Sequence, residues 1–221
     1  MPEAALGRRR SPLADHHERL ARESIPGPDG VVLREIPFLA QVGLRGDPGN
    51  PEFLAAARGA LGLDLPEAPG TVSATGSLSC LRLGPDEWLV VGEPGAEVGL
   101  VARLEARTRG LPAAVVDLSA ARATLELSGA KSRAVLAKAC PLDLHPRAFV
   151  PGQSRETNLA RTQGIVWLVE DRPSSGATWR LLVRGSFAIY LAQWLLDAMA
   201  EFRPSLPRTA TSGMPASSRV R

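Results

Sequence analysis

The chain has 221 residues, enough for one large domain or two small ones, and its 44% content of hydrophobic residues suffices for a buried core. Its formal net charge of +3 is concentrated in residues 203–221, which hold four arginines and no acidic residue, whereas the rest of the chain is close to neutral. This distribution argues against a basic face for nucleic acid, and no apolar stretch approaches the length of a membrane span. We therefore expect neither a nucleic acid nor a membrane as a partner.

The first predicted element is a short, mostly polar helix over residues 11–23. Ser11 is a suitable cap for it, and Pro12 suits the first helical position. Residues 24–30, SIPGPDG, then interrupt regular structure. We expect residues 1–28 to form an N-terminal arm whose helix docks on a larger body.

Four further helices are predicted from apolar residues at helical spacing. They cover residues 51–63, 97–108, 130–140 and 186–202. The residues expected to face the core are, in chain order, Phe53, Leu54, Ala57 and Leu61; Leu100, Val101 and Leu104; Val135, Leu136, Ala139 and Cys140; and Ile189, Ala192, Leu196 and Met199.

Strands are predicted between these helices, beginning at Val31. Residues 113–119 form one strand, and the alternation of apolar and polar residues over 123–129 predicts a half-exposed strand. Residues 157–171 form one long strand or two short ones, and a further strand spans 178–185. The order of elements is β-α-β followed by β-α-β-β-α.

Two places share a local plan: WLVVG before the helix at residue 97, and WRLLVRG before the helix at residue 186. This similarity predicts two related αβ halves, and therefore an α+β fold with mostly antiparallel sheets. The main domain is placed at residues 29–203. Residues 204–221 are rich in Ser, Thr, Pro and Arg without apolar periodicity, which predicts a disordered basic tail.

The stretch GPDEWLVVG, residues 84–92, contains two adjacent carboxylates that invite a catalytic interpretation. Gly-Pro-Asp is strong turn chemistry, because proline presets φ and aspartate favours local backbone hydrogen bonds. Asp86 and Glu87 would then stand at a strand entrance and point to opposite faces, which is poor geometry for a shared substrate. The turn interpretation is preferred.

Other candidate sites are weak. His16 and His17 are adjacent and diverge by about 100° on a helix, so they cannot easily share one metal. Cys140 with His145 could form a thiol nucleophile and its base, but Cys140 ends an apolar helix stripe, where cysteine usually acts as a small core residue. Cys80 and Cys140 match no zinc or disulfide pattern, and no glycine-rich phosphate loop is present.

Four stretches carry a family resemblance. They are LGPDEWLVVG, VVDLSAARATLELSGAKSRAVLAKACPLDLHPRAFVPGQ, TNLARTQGIVWL and RGSFAIYLAQWLLDA. Together they resemble the gamma subunit family of heterotetrameric sarcosine oxidase from about Ser73 to Glu201, and CPLDLHPRAF at 140–149 is the most specific part. The segment that begins DLS also resembles the wider aminomethyltransferase superfamily, which includes the glycine-cleavage T-protein and has a folate-binding-domain-like fold.

Arg8, Arg9 and Arg10 are not followed by the apolar region of an export signal, so we expect a cytoplasmic protein. The resemblance implies a complex of alpha, beta, gamma and delta subunits. Such a complex oxidatively demethylates sarcosine to glycine, forms hydrogen peroxide and passes the one-carbon unit to tetrahydrofolate as 5,10-methylenetetrahydrofolate. The family places FAD, FMN and NAD in the alpha and beta subunits and zinc in the delta subunit. It assigns no catalytic, cofactor-binding or metal residue to the gamma subunit, so we expect none here and expect no activity from the chain alone.

Two alternatives stay open. The chain could be a stand-alone folate-binding aminomethyltransferase-like protein, which would need a folate pocket with a carboxylate aimed at the pterin. It could also be a non-enzymatic interaction module. Tyr190 and Trp194, at i and i+4 on the last helix, form either an aromatic ridge for a partner or part of the core.

Overall fold

A computed structural model describes residues 9–203. The strands in this range are β1 (Val32–Glu35), β2 (Ala40–Gly46), β3 (Val72–Thr75), β4 (Leu78–Arg82), β5 (Glu87–Gly92), β6 (Ala113–Asp117), β7 (Arg122–Gly129), β8 (Gln153–Leu159), β9 (Thr162–Arg172) and β10 (Gly176–Arg184). The α-helices are α1 (His17–Glu23), α2 (Pro51–Leu61), α3 (Glu97–Thr108), α4 (Ser132–Ala139) and α5 (Ala188–Met199). The predicted tail at 204–221 lies outside the described residues.

The strands form two antiparallel five-stranded sheets. The first sheet has the order β3-β4-β5-β2-β6 and the second β8-β9-β10-β7-β1. Each sheet is built from the same run of elements, β-α-β-β-β-α: β2-α2-β3-β4-β5-α3 in the first and β7-α4-β8-β9-β10-α5 in the second. One more strand, β6 or β1, completes each sheet beside β2 or β7. The predicted α+β fold with two related antiparallel halves is confirmed.

The molecule has four layers, with helices outside and the two sheets inside. Helices α2 and α3 cover the first sheet around Trp88, and helices α1, α4 and α5 cover the second around Trp179. Both indole rings are almost fully buried, and truncation of such a ring typically costs about 3–5 kcal/mol. A third cluster, which includes Leu89, Trp167 and Leu182, joins the inner faces of the two sheets.

The N-terminal segment differs in detail from the prediction. A 3₁₀ turn at Ala14–His16 precedes α1, and no side chain caps either element. The Ser11 hydroxyl instead donates to the Glu35 carboxylate at 2.6 Å, so the predicted capping role was wrong. Leu13 and Leu20 are fully buried in the same cluster as Trp179, which fastens this segment to the second sheet.

The alternating sequence of β7 predicted a half-exposed strand, but most of the strand is buried on both faces. Residues Ala123–Leu127 are all buried. Leu125 and Leu127 face the helices, while Glu126 on the opposite face is engaged by two arginines and is buried as well. The alternation predicted correctly which residues share a face. It could not predict that other parts of the chain cover the polar face.

Two predicted core positions on helices are also wrong. Leu54 and Ile189 are exposed by 36% and 39%. The buried stripe of α5 includes Leu191 and Leu195, which continue the spacing set by Ala188 and leave Ile189 on the outer side.

The strand count of the first half was too low. The stretch before GPDEW forms a hairpin, β3 and β4, that the predicted β-α-β order omitted. Of the two alternatives left open for residues 157–171, the structure has two strands, joined by a tight turn at Ala160 and Arg161. Ala160 has a φ of +53°, a left-handed value that is unfavourable for a residue with a Cβ.

Candidate functional site

The two carboxylates of GPDEWLVVG lie at the entrance to β5. Asp86 is exposed in the turn, and its backbone carbonyl accepts the Gly46 N–H at 3.1 Å. Glu87 is the first residue of β5, and its carboxylate lies 2.5 Å from Arg45 Nη2 on the neighbouring strand. The arrangement is a turn followed by a cross-strand ion pair, as the turn interpretation predicts.

Neither thiol is placed as an activated nucleophile. Burial raises the pKa of Cys80 to about 12. Burial also raises the pKa of Cys140, and hydrogen bonds involving the Leu142 backbone and the Thr157 side chain offset part of that rise. His145 is exposed, and its Nδ1 accepts the Arg147 N–H at 3.2 Å. A buried, protonated thiol is a poor nucleophile.

The adjacent histidines do not converge either. His17 Nε2 lies 2.6 Å from Glu35 Oε2, the same oxygen that accepts the Ser11 hydroxyl. This contact ties α1 to β1. Within residues 9–203, no group of three histidine, cysteine or acidic side chains is arranged to hold a metal ion. In the same range, no helix is long and apolar enough to cross a membrane.

A polar cleft, here named the crossover cleft, lies where the chain passes twice between the sheets. It is lined by the N-terminal segment 9–12, by the β1–β2 connection with Gln41, and by the β6–β7 connection with residues 122–124. Its volume is about 280 Å³. The Gln41 N–H donates to Ser119 Oγ at 3.0 Å, and the Gln41 carbonyl accepts the Leu118 N–H at 2.8 Å. These bonds hold the two connections together.

Three residues that line the crossover cleft each have one buried side-chain atom with no hydrogen-bond partner among the described residues. These atoms are Gln41 Oε1, Arg122 Nη1 and Thr124 Oγ1. An unsatisfied buried polar group typically costs about 1–3 kcal/mol. Four other such atoms in the described range are scattered over the fold, so the cleft concentrates this cost at one place.

Two further unfavourable features border the crossover cleft. Arg122 stands directly opposite Arg184 in the β7–β10 register, and like charges in that relation destabilise a sheet. Phe38, at the cleft rim, has a φ of +62°, which costs a non-glycine residue about 1–2 kcal/mol. Strained backbone persists only where surrounding contacts compensate for it, and such strain clusters at functional sites.

The start of α5 presents an apolar patch to solvent. The exposed residues are Phe187, Ile189 and Tyr190. Trp194, by contrast, is half-buried and packs against the core cluster beneath the helix. The predicted aromatic ridge is therefore divided, since Tyr190 lies outside and Trp194 belongs largely to the core.

Comparison with known proteins gives a consistent family. Residues 45–201 match the family model described as "Sarcosine oxidase, gamma subunit family". The chain is similar to the sarcosine oxidase gamma subunits of Arthrobacter sp. and of Corynebacterium sp. strain P-1, in each case with 43% identity, covering 88% of this chain and 91% of the relative.

Solved structures agree with the sequence comparison. A chain of the heterotetrameric sarcosine oxidase from Corynebacterium sp. U-96, solved in complex with pyrrole 2-carboxylate, superposes with a TM-score of 0.79 and 38% identity, covering 88% of this chain and 96% of that chain. The glycine cleavage system aminomethyltransferase T from Bartonella henselae shares the fold, with a TM-score of 0.60, 20% identity and coverage of 84% and 56%. The chain belongs to the sarcosine oxidase gamma subunit family.

Proposed function

We propose that this chain is the gamma subunit of a heterotetrameric sarcosine oxidase and contributes to its assembly rather than to its chemistry. The observation that carries the proposal is the superposition on a chain of such a heterotetramer over 96% of that chain, at 38% identity. The similarity covers nearly the whole of that chain, which supports an equivalent place for this chain in such a complex.

The non-catalytic part of the proposal rests on the described side chains. Cys80 and Cys140 are buried with raised pKa values, and His17 is held by a carboxylate. Acid–base or nucleophilic catalysis needs a nucleophile, a base and an orienting group in mutual reach. Ser11 and His17 both contact the Glu35 carboxylate, at 2.6 Å each, and among the described residues no hydrogen bond joins the Ser11 hydroxyl to His17. The imidazole is therefore not placed as a base for that hydroxyl, which supports a role outside the reacting centre.

The partners are the alpha, beta and delta subunits, and the complex converts sarcosine to glycine with formation of hydrogen peroxide and 5,10-methylenetetrahydrofolate in the cytoplasm. Zinc requires three or four converging ligands, which the described residues do not supply. The sequence also lacks a dinucleotide-binding glycine loop. We therefore assign FAD, FMN, NAD and zinc to the other subunits. Folate belongs to the complex, and no residue of this chain is assigned to it.

We also propose a division into an N-terminal arm at 1–28, a domain at 29–203 and a tail at 204–221. Leu13 and Leu20 are buried in the domain core, so the arm is fastened rather than free. Deletion of residues 1–28 should therefore lower the stability of the domain, whereas deletion of the tail should not.

The test compares the purified full chain with the co-expressed complex. The chain alone is expected to show no flavin absorbance and no sarcosine-dependent peroxide, whereas the complex shows both. Turnover by the chain alone would overturn the non-catalytic role. A fully active complex that lacks this chain would overturn the assembly role.

A further inference from the structure

We propose that a pocket at one end of the second sheet receives an acidic segment of a partner subunit, and that the apolar start of α5 packs beside that segment. The inference rests on the proposed function, because it names the surface through which this chain joins the complex. The pocket, here named the arginine pocket, has a volume of about 390 Å³. The residues that line it include Arg122, Glu156, Asn158, Gln163 and Arg184.

The arginine pocket lies where the inner face of the second sheet extends past the first sheet. Leu182 is buried in the cluster between the two sheets. Side chains two residues further along a strand point to the same face, which places Arg184 and its register partner Arg122 on the inner face. Gln163 and Asn158 are register partners on the next two strands and continue the same row. Arg184, Gln163 and Asn158 are exposed, so the first sheet leaves this row open.

The positive charge of the arginine pocket has no counterion within residues 9–203. Arg184 is exposed, Arg122 is half-buried, and none of the ion pairs in that range includes either of them. Glu156 also lines the pocket, but it lies on β8, two strands away from β10. A carboxylate placed over the two arginines offsets their mutual repulsion and accepts charge-assisted hydrogen bonds from guanidinium groups.

An apolar patch borders the arginine pocket. Phe187, Ile189 and Tyr190 are exposed at the start of α5, which follows β10 after one 3₁₀ turn. The Tyr190 hydroxyl accepts the Arg161 N–H at 3.3 Å, so the outer side of α5 lies against the β8–β9 turn. That turn connects the two strands that supply the amide side chains of the pocket. The patch and the pocket therefore lie at the same end of the second sheet.

A protein segment with an acidic side chain next to an apolar one fits both features. Arginine and aromatic side chains are enriched where protein surfaces meet. A small inorganic anion leaves the apolar patch in water. A second copy of this chain, related by a two-fold axis, brings the same positive surface and sets arginines against arginines. Nucleic acid is disfavoured because the chain outside residues 203–221 is close to neutral.

Charge reversal in the tagged full chain, co-expressed with candidate alpha, beta and delta subunits, tests the inference. Arg184→Glu should lower recovery of the partner subunits at least about tenfold, because it sets a carboxylate against the acidic segment. The same change should keep or raise the unfolding midpoint of the isolated chain, since it replaces a like-charge pair with an opposite one. The control is Arg109→Glu, at an exposed arginine that follows α3 on the other half, which should change neither quantity.

Arginine modification by phenylglyoxal gives a second measurement that needs no variant. In the isolated full chain, Arg184 and Arg109 are both exposed and should both react. In the complex, the rate at Arg184 should fall at least about tenfold because the partner covers it, whereas the rate at Arg109 should not change. If Arg184→Glu lowers the unfolding midpoint, this protection in the parent complex decides the question.

The failure of this inference is distinguishable from the failure of the proposed function. A parent chain that recovers no partner subunit overturns the proposed function and this inference with it. If the parent chain and Arg184→Glu recover the subunits equally, this inference alone is wrong. Full reactivity of Arg184 in the complex has the same meaning, and protection by inorganic phosphate in that case assigns the pocket to a free anion. A dimer of the isolated chain that Arg184→Glu abolishes assigns it to a second copy.

Discussion

Arg34 and Glu126 are cross-strand partners whose guanidinium and carboxylate groups lie 2.6 Å apart, with Arg34 Nε and Nη2 both donating to one oxygen. The Glu126 side chain is only 9% exposed, whereas the Arg34 side chain is 66% exposed. Arg180, at 3.7 Å, is the second cation near the same carboxylate. The contact joins edge strand β1 to the interior of its sheet.

Arg34→Met should lower the free energy of unfolding by about 2 kcal/mol, because it leaves a nearly buried carboxylate with one distant cation. The matched control is Arg58→Met, which removes an ion pair to Asp64 in which both side chains are about 70% exposed. That change should stay within about 0.5 kcal/mol. Denaturant unfolding measures both, and equal effects would contradict the importance of burial.

The two thiols should be unreactive in the folded protein. At about pH 8, iodoacetamide should modify neither Cys80 nor Cys140 at an appreciable rate, because both thiols are buried with raised pKa values. The same reagent should modify both residues in denaturant. Mass spectrometry of the native reaction distinguishes the cases, and rapid labelling of Cys140 would revive the thiol nucleophile.

Cys80 also makes the stability depend on alkaline pH. The unfolded thiol ionises near pH 8.5, whereas the folded thiol holds its proton up to about pH 12. Between these values the unfolded state binds fewer protons, so stability falls as pH rises. Below about pH 8.5 both states are protonated and Cys80 contributes no slope. Cys80→Ala should therefore show a smaller alkaline loss than the parent chain, and equal losses in both proteins would argue against the raised pKa.

Ala160→Gly should stabilise the protein. Ala160 occupies the β8–β9 turn with a φ of +53°, and glycine removes the steric cost of about 1 kcal/mol or more at such a value. The control is Ala102→Gly, an exposed position inside α3, where the same substitution should cost about 1 kcal/mol. Thermal unfolding should thus give opposite signs for one chemical change.

Substitutions on the outer side of α5 and on its core side should have different effects on stability and on recovery of partner subunits. Tyr190→Ala should change the unfolding free energy by less than about 1 kcal/mol, since the ring is exposed and its hydroxyl accepts one long hydrogen bond from Arg161 N–H. It should weaken recovery of partner subunits if this surface is an interface. Trp194→Ala should cost about 2 kcal/mol or more in the isolated chain, because its ring packs on the core. Full recovery of the partner subunits with Tyr190→Ala would remove the α5 surface from the interface.

Sequence patterns predicted the structure best where an element depends only on its own residues. The apolar spacing of residues 97–108 predicted α3 with its observed bounds, and turn chemistry placed Asp86 correctly. The crossover cleft was not predictable in this way. Gln41 and Arg122 are 81 residues apart, and only the two passages between sheets bring them together. Neither residue has a distinctive sequence context, so the signal that identifies them is an unsatisfied atom in three dimensions.

The covered face of β7 was missed for a related reason. Its polar residues are buried by pairing with strands and arginines that are remote in sequence, such as Arg34 and Arg180. Periodicity gives the relative orientation of neighbouring side chains, but the burial of a face depends on what the rest of the chain places over it.

Native mass spectrometry of the tagged chain, purified after co-expression with candidate alpha, beta and delta subunits, tests most directly whether this chain is a gamma subunit. We expect one assembly that contains a single 23.4 kDa copy of this chain together with one copy of each partner, with flavin bound. Recovery of the chain only as a monomer or homo-oligomer, while the other subunits assemble into an active oxidase without it, would contradict its assignment as the gamma subunit.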